Sequence, residues 1–203
     1  MIETQLDYDT LNDSYFTDMA NILLNECYLL VDGKKFRLVE IEFYLNCNGH
    51  PDPYTHDDPN QLLMHTFYFH KFKTGTYKSG TFKGMDLTFG NEEESAYFGI
   101  LIRAIKDMVS GTIIEGPCNV VNKILNIYNC DSIMDFTQGE NLDIFENRTG
   151  LCLVLCEDLI QEEIFWGPRI GLSAKFPEYH KKYYRYVADK SKIKKQKTSL
   201  VKI

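Results

Sequence analysis

The pattern of apolar and polar residues over the first quarter of the chain predicts a helix followed by a β-hairpin. Between residues 10 and 30 apolar side chains recur at helical spacing, and Asp9 or Thr10 is placed to cap the start of the helix. Residues 28–31 and 36–45 are apolar runs joined by Asp32-Gly33, a pair that favours a tight hairpin turn. A loop rich in Asn, Gly, Pro, Asp and His follows at residues 46–60.

Further along the chain, short strands and helices alternate irregularly. The predicted strands span residues 62–73, 96–105, 111–115, 150–156, 169–172 and 183–187, and a helix over residues 120–125 is entered through Pro117. Glycines recur in Gly75-Thr-Tyr-Lys78 and Gly80-Thr-Phe-Lys83, which indicates tight turns or close approach of the backbone to a ligand. Many strands with irregularly placed helices indicate the α+β class.

Length and composition are typical of one globular domain. The 203 residues, 44% of them hydrophobic, are enough for a single core. The start of the chain has no basic segment followed by an apolar run, and the longest apolar stretches are interrupted by Asn, Glu or Arg. The six cysteines include no Cys-x-x-Cys pair, which favours reduced thiols. We therefore expect a soluble nuclear or cytoplasmic monomer without membrane contact.

Charge is distributed unevenly along the chain. A net charge of −7 argues against a protein that coats duplex nucleic acid by bulk electrostatics. The lysines at positions 71, 73, 78 and 83 nevertheless have no acidic residue among them, which leaves room for a locally basic face. Residues 190–203 are rich in Lys and Ser and are predicted to form a flexible basic tail, so the domain is expected to span residues 1–189.

Two carboxylates in one predicted strand are the first candidates for chemistry. Because side chains alternate along a strand, Glu40 and Glu42 share one face, and Val39, Ile41 and Phe43 share the other. On pattern alone, this arrangement fits a solvated edge of the sheet. The segment just downstream, which is rich in His, Asp and Pro, shifts the balance towards an active site.

Histidines cluster in that downstream segment and in the strand that follows it. His50, His56, His65 and His70 are four of the five in the chain, and such a cluster invites a metal site with His and Asp ligands. The spacing matches no His-x-x-x-His, His-Glu-x-x-His or two-His-one-carboxylate arrangement, and proline-flanked Asp and His are as often loop caps. We expect no metal and no other cofactor, and a metal-dependent hydrolase is the minority alternative.

Several motifs in collinear order resemble the alkyladenine (3-methyladenine) DNA glycosylases. They are Val39-Glu-Ile-Glu-Phe-Tyr44, Asp52-Pro-Tyr-Thr-His56, the glycine-rich residues 75–85, Gly99-Ile-Leu-Ile-Arg-Ala-Ile105, Glu115-Gly-Pro-Cys118, Gly167-Pro-Arg-Ile-Gly171 and Tyr183-Tyr-Arg-Tyr-Val187. The resemblance covers residues 6–188 and is that of a divergent branch of the family. It implies a single α+β domain with a curved, mostly antiparallel sheet and surrounding helices.

The resemblance implies roles for four residues. Glu42 matches the carboxylate that holds and deprotonates the attacking water, and it also stabilises the positive charge that develops on the sugar. His56 matches a histidine that contacts the target nucleotide, and Tyr44 an aromatic that stacks on the flipped base. Arg103 matches an arginine that orients water or carboxylate, although the residues alone equally allow a structural partner for Glu40. We expect Glu42, His56 and Arg103 to converge on one concave pocket with Tyr44 on its wall.

The chain departs from the family at residues that open a duplex. Lys83 stands where a tyrosine wedges into the duplex, Gly80 where a second tyrosine stacks, and Gly90 where an asparagine lies beside the base. The candidates to fill the vacated stacking face are Tyr68, Tyr77 and Phe82.

These features predict a base-excision hydrolase that frees a modified purine from nucleic acid, DNA above all. Tyr77, Lys78 and Lys83 are expected to contact the substrate. One alternative is the same fold acting on a single strand or a small nucleotide, with Lys71, Lys78 and Lys83 on its phosphates. Another is a non-catalytic relative that binds nucleic acid or a protein.

Overall fold

A computed structural model describes residues 6–8, 11 and 13–203, and an antiparallel sheet forms its centre. The strands are β1 Cys27–Val31, β2 Lys34–Cys47, β3 His50–Pro51, β4 Met64–Phe69, β5 Met85–Phe89, β6 Tyr97–Asp107, β7 Ile113–Glu115, β8 Leu142–Asp143, β9 Leu151–Leu155, β10 Ile164–Gly167, β11 Arg185–Ala188 and β12 Val201–Lys202. Their main order is β12-β10-β11-β2-β6-β5-β4-β8, and β1 joins β2 to β9. Within the described residues the α-helices are α1 Asp13–Asn25, α2 Pro117–Tyr128, α3 Ile133–Thr137 and α4 Pro177–His180. The expected α+β class is confirmed.

The predicted hairpin is confirmed, and it shortens the predicted helix. Strands β1 and β2 pair around Asp32 and Gly33, whose φ angles of 47° and 75° suit a two-residue hairpin turn. Helix α1 ends at Asn25, not at residue 30, because Cys27 already begins β1. The caps predicted at Asp9 and Thr10 lie outside the described residues.

The helices α1 and α2 cover one face of the sheet. Phe16 of α1 stacks on Phe43 of β2 with ring centroids 4.7 Å apart, and Val120 and Ile124 of α2 belong to the same apolar core. Burial of one such side chain stabilises the fold by about 1.5–3 kcal/mol. This face therefore supplies the main core, and polar side chains can gather on the opposite face. No helix in the described part of the chain combines the length and the apolar character needed to cross a membrane.

A β-bulge in β2 changes which residues share a face. The pairing of β2 with β6 shifts register around Glu40, and Leu38 and Ile41 both enter the main core. Val39 instead joins a smaller apolar cluster. The prediction that Val39 lies with Ile41 and Phe43 is therefore wrong, because the extra residue of a bulge reverses the alternation of side chains.

The C-terminal segment 190–203, predicted to be a flexible tail, packs against the sheet. Ile193 and Leu200 are 1% and 4% exposed in the smaller cluster, and β12 pairs with β10. The buried Arg185 donates to the carbonyl oxygens of Gln196 and Lys195, at 3.2 and 2.9 Å. The few apolar residues of this segment follow no helical or strand period among many lysines, which is why the pattern indicated a tail.

The prediction of a strand at residues 169–172 is also wrong. The strand of this region is Ile164–Gly167, and an irregular segment follows from Pro168. Proline cannot donate a hydrogen bond to a sheet ladder, so pairing stops there. The irregular backbone brings the N–H group of Ile170 to the carboxylate of Glu42.

Candidate active site

Five adjacent strands each place one side chain in a row across the sheet. Arg185 of β11 lies opposite Glu42 of β2, and Glu42 lies opposite Leu101 of β6. Leu101 lies opposite Asp86 of β5, which in turn lies opposite Tyr68 of β4. Residues directly opposite each other on paired strands point to the same face. The pairing register thus gathers residues from distant parts of the sequence at one site.

Glu42 is completely buried and held by three hydrogen-bond donors. The hydroxyl of Tyr44 and the Nη1 atom of Arg103 donate to Oε2, at 2.8 and 3.2 Å, and the backbone N–H of Ile170 donates to Oε1, at 2.7 Å. A carboxylate accepts at about four lone-pair positions. Three of them are occupied, and one position on Oε1 remains for a further donor such as water.

Arg103 joins Glu42 to a second buried carboxylate. Its Nε atom donates to Oε1 of Glu40 at 3.0 Å, and Arg185 donates to the same oxygen at 2.7 Å. Burial opposes the positive charge of Arg103, but Glu42 and Glu40 outweigh it and raise the pKa of the guanidinium. Both sequence interpretations of Arg103 are therefore present in the structure, since it contacts Glu42 and Glu40 together.

The ring of Tyr44 is fixed between Glu42 and a buried ion pair. The guanidinium of Arg169 lies 4.4 Å from the Tyr44 ring centroid and pairs with Asp52, and neither charged side chain is exposed. Arg169 also donates to the carbonyl oxygen of Phe43 at 2.9 Å. Burial and the neighbouring Glu42 raise the pKa of Tyr44, which keeps its hydroxyl protonated as a donor.

A small cleft of about 130 Å³ opens beside this network. It is lined by Tyr44, Tyr54, His56, Gln61, His70, Asp86, Leu101 and Leu172. The expected residues are brought together in two groups: Glu42, Arg103 and Tyr44 are linked directly, whereas His56 shares the cleft with Tyr44. Between the described residues no hydrogen bond joins His56 to Glu42. Glu42 lies one layer behind the cleft wall.

A buried polar cluster opposite Tyr44 was missed by the sequence interpretation. Nε2 of His70 lies 2.7 Å from Oδ1 of Asp86, and Nε2 of Gln61 donates to Oδ2 of Asp86 at 3.2 Å. His70, Asp86 and Gln61 are 8%, 2% and 1% exposed. The sequence carries one indication of this cluster, the single carboxylate of Asp86 in the apolar run 85–89. The alternation of side chains along a strand could have placed Asp86 on the face of the sheet that holds the site.

Gly99 leaves the space that this polar cluster occupies. A Cβ atom at residue 99 would lie 2.6 Å from Oδ2 of Asp86 and 2.6 Å from Nε2 of Gln61. Because both side chains are buried and hydrogen-bonded to each other, they cannot swing away. We expect Gly99→Ala to lower the free energy of unfolding by about 1–3 kcal/mol, measured by urea denaturation. In a Gln61→Ala background the same substitution should cost less, and equal costs in both backgrounds would contradict the proposed clash.

His56 is exposed at the surface, but its ring packs against other side chains of the site. Its centroid lies 4.3 Å from that of His70, and Nε2 lies 3.2 Å from Nζ of Lys78. The packing of the ring against these side chains removes water from it, and with His70 and Lys78 adding to this effect the pKa of His56 is lowered to about 4. The ring is therefore neutral near pH 7 and can both donate and accept a hydrogen bond.

The lowered pKa of His56 predicts a loss of stability in acid. Its folded pKa of about 4 lies below the ordinary value of 6.5, so between these values the unfolded chain binds a proton that the folded chain does not. The stability that this difference in proton binding contributes is fully present above about pH 6.5 and is lost as the pH falls towards 4. Urea denaturation at pH 7, 5.5 and 4.5 should show a smaller decrease for His56→Gln than for the wild type. His180→Gln is the control, and a wild-type slope in His56→Gln would refute the prediction.

The other predicted substrate residues lie away from the cleft. Tyr77, Lys78 and Lys83 line a separate cavity of about 330 Å³, and Lys78 also borders a groove next to His56. Gly80 has open space around it, and the neighbouring Phe82 is 71% exposed. These residues therefore form a surface beside the cleft.

Gly90 has a steric explanation. A Cβ atom there would lie 1.9 Å from the carbonyl oxygen of Gln61 and 2.6 Å from that of Ala96. No side chain can stand at this position while the backbones keep their places. The glycine is therefore explained by the close packing of this part of the chain against residues 59–62.

In the described part of the chain no group of three or more His, Cys, Asp or Glu side chains is placed to hold a metal ion. Nδ1 of His50 donates to the carbonyl oxygen of Leu45 at 2.8 Å, and Nε2 lies 2.7 Å from the hydroxyl of Tyr184. His65 packs against Phe89 and Phe145. The four histidines that cluster in the sequence therefore do not meet at one site in the structure.

Comparison with known proteins gives an extensive match to a viral protein. No family model matches the chain. The chain is 53% identical over 208 aligned positions to "Uncharacterized protein L759" of Acanthamoeba polyphaga mimivirus, and the match covers 97% of this chain and 96% of that protein. Identity at this level over the whole length establishes common ancestry and a shared fold. The chain belongs to the same family as this mimivirus protein.

Proposed function

We propose that the protein hydrolyses an N-glycosidic bond and releases a modified purine base from nucleic acid. The observation that carries the proposal is the buried carboxylate of Glu42, held by three donors with one acceptor position left on Oε1. That position suits a water molecule that is to be deprotonated. The resemblance to the alkyladenine glycosylases points to the same residue.

The surroundings of Glu42 suit the charge that this reaction develops. All three partners donate hydrogen bonds to the oxygens of this carboxyl group. As the bond between sugar carbon and base nitrogen breaks, its electron pair leaves with the base and positive charge builds on the sugar. A fixed negative charge in a water-poor site stabilises that state. The water oxygen then bonds to the sugar carbon, and its proton passes to Glu42.

The cleft is suited to a flat ring more than to a whole nucleotide. Its volume of about 130 Å³ is below the 300–1,000 Å³ typical of sites for larger ligands. Tyr44 supplies an aromatic wall, and Gln61, His70 and Asp86 supply donors and acceptors at the edge of a base. The proposal requires the sugar of a base bound here to lie within reach of Glu42, which is buried behind the cleft wall.

A base-release screen tests the proposal. Purified protein is incubated with modified oligonucleotides as duplex and as single strand, and with modified nucleotides, and free base is measured by chromatography. Base released by the wild type and absent with Glu42→Gln would support the proposal. Release from nucleotides alone would restrict it to small substrates. If wild type and Glu42→Gln are equally inert on every substrate while oligonucleotide still binds, the protein is a non-catalytic binder and the proposal fails.

A further inference from the structure

A second, larger concavity adjoins the cleft. It has a volume of about 720 Å³, and we call it the basic groove. Its lining includes Lys71, Lys73, Lys78, Tyr68 and Phe72, together with His56. His56 lines both the basic groove and the cleft, so the two concavities are adjacent.

The lysines of the basic groove are available to an anionic ligand. In the chain as described, the salt bridges made by lysine involve other lysines, at residues 106, 192 and 202. Two carboxylates also line the groove, but Asp57 accepts from Asn46 at 2.8 Å and Asp58 accepts from Asn60 at 2.9 Å as a helix cap. Three lysines against two carboxylates leave the groove with one net positive charge, on a protein whose net charge is −7.

Exposed aromatic rings accompany these lysines. Phe72, between Lys71 and Lys73, is 44% exposed, and Phe82, next to Lys83, is 71% exposed. Burial of a ring of this size normally stabilises a protein by about 1.5–3 kcal/mol, so exposed rings beside lysines without salt bridges indicate a surface that contacts a ligand. Lysines interleaved with exposed aromatics are the arrangement that binds single-stranded nucleic acid, with phosphates on the cations and bases on the rings.

We propose that the basic groove binds the backbone of a single strand and leads one base into the cleft. This inference rests on the proposed function for the identity of the base, but binding itself needs no catalysis. A single strand is favoured over a duplex because its bases are free to stack on Phe72, the exposed aromatic ring that lines the groove. The acidic whole protein also disfavours the dense charge of a duplex.

The test is fluorescence anisotropy with a labelled 12-nucleotide DNA, as single strand and as duplex, between 50 and 200 mM NaCl. If three phosphates are neutralised, affinity for the single strand should fall about 20-fold over this range. The triple variant Lys71→Gln, Lys73→Gln, Lys78→Gln should lose most of this salt dependence. Phe72→Leu should weaken binding about tenfold. The control removes three lysines outside the groove, Lys34→Gln, Lys35→Gln and Lys123→Gln, and circular dichroism verifies that each variant folds.

Three results would overturn the proposal. They are tighter binding of the duplex than of the single strand, equal weakening by the control triple variant, and equally effective competition by polyglutamate, which would indicate a site for acidic protein segments. Binding is also measured with Glu42→Gln, whose groove is intact. Binding without base release in the wild type would reject the proposed hydrolase and support the groove proposal. Base release without binding in the groove would support the hydrolase and reject the groove proposal.

Discussion

Replacing Glu40 by glutamine is expected to lower the free energy of unfolding by about 3–5 kcal/mol. Oε1 of Glu40 accepts hydrogen bonds from Nε of Arg103 and Nε of Arg185, at 3.0 and 2.7 Å. The three residues are 1%, 7% and 0% exposed. The amide keeps one acceptor but carries no charge, so Arg185 becomes a buried cation without a counter-ion. Urea denaturation followed by circular dichroism measures the effect.

An exposed ion pair is the control for Glu40. Glu163 pairs with Lys202, and the two side chains are 64% and 58% exposed. Glu163→Gln should therefore change the free energy of unfolding by less than about 1 kcal/mol. The double variant Glu40→Gln, Arg185→Met should recover part of the loss of Glu40→Gln, since it removes the unpaired cation. A loss below 1 kcal/mol in Glu40→Gln would show that the buried network contributes little.

Local signals in the sequence predicted the elements that carry the catalytic candidates. Asp32-Gly33 determined the hairpin, and strand alternation placed Glu40 and Glu42 on one face, where both contact Arg103. The predicted face of Val39 was wrong, because a bulge depends on the pairing of two strands and cannot be seen in the sequence of either one.

The polar cluster of the cleft depends on long-range register. Gln61 comes from a turn of 3-10 helix, His70 directly follows β4, and Asp86 is the second residue of β5. Their contact requires the pairing of β5 with β6 and the space left at Gly99. Nothing in a single strand states which residue of a neighbouring strand will lie opposite. For the same reason the packing of Ile193 and Leu200 could not be predicted from the lysine-rich segment around them.

Replacing Glu42 by glutamine is expected to slow base release by about 100- to 10,000-fold, the range typical for loss of a general base. Glutamine has the same shape, and its amide oxygen in the place of Oε2 still accepts two of the three present hydrogen bonds, but it cannot take a proton from water. One of the three donors then faces the NH₂ group, at a cost of about 1–3 kcal/mol. That cost is below the loss expected for Glu40→Gln, because Glu42 pairs with one arginine and Glu40 with two.

Single-turnover base release at a temperature where every variant is folded separates the rate from the stability. Glu163→Gln serves as the control. It should keep the rate of base release and the free energy of unfolding close to the wild-type values, since the Glu163 side chain lies in an exposed ion pair just before β10. A Glu42→Gln variant that releases base within threefold of the wild-type rate would remove Glu42 from the chemical step. The remaining activity would then have to come from another group at the cleft, and Asp86, the next carboxylate along the same cross-strand row, would be the first to replace.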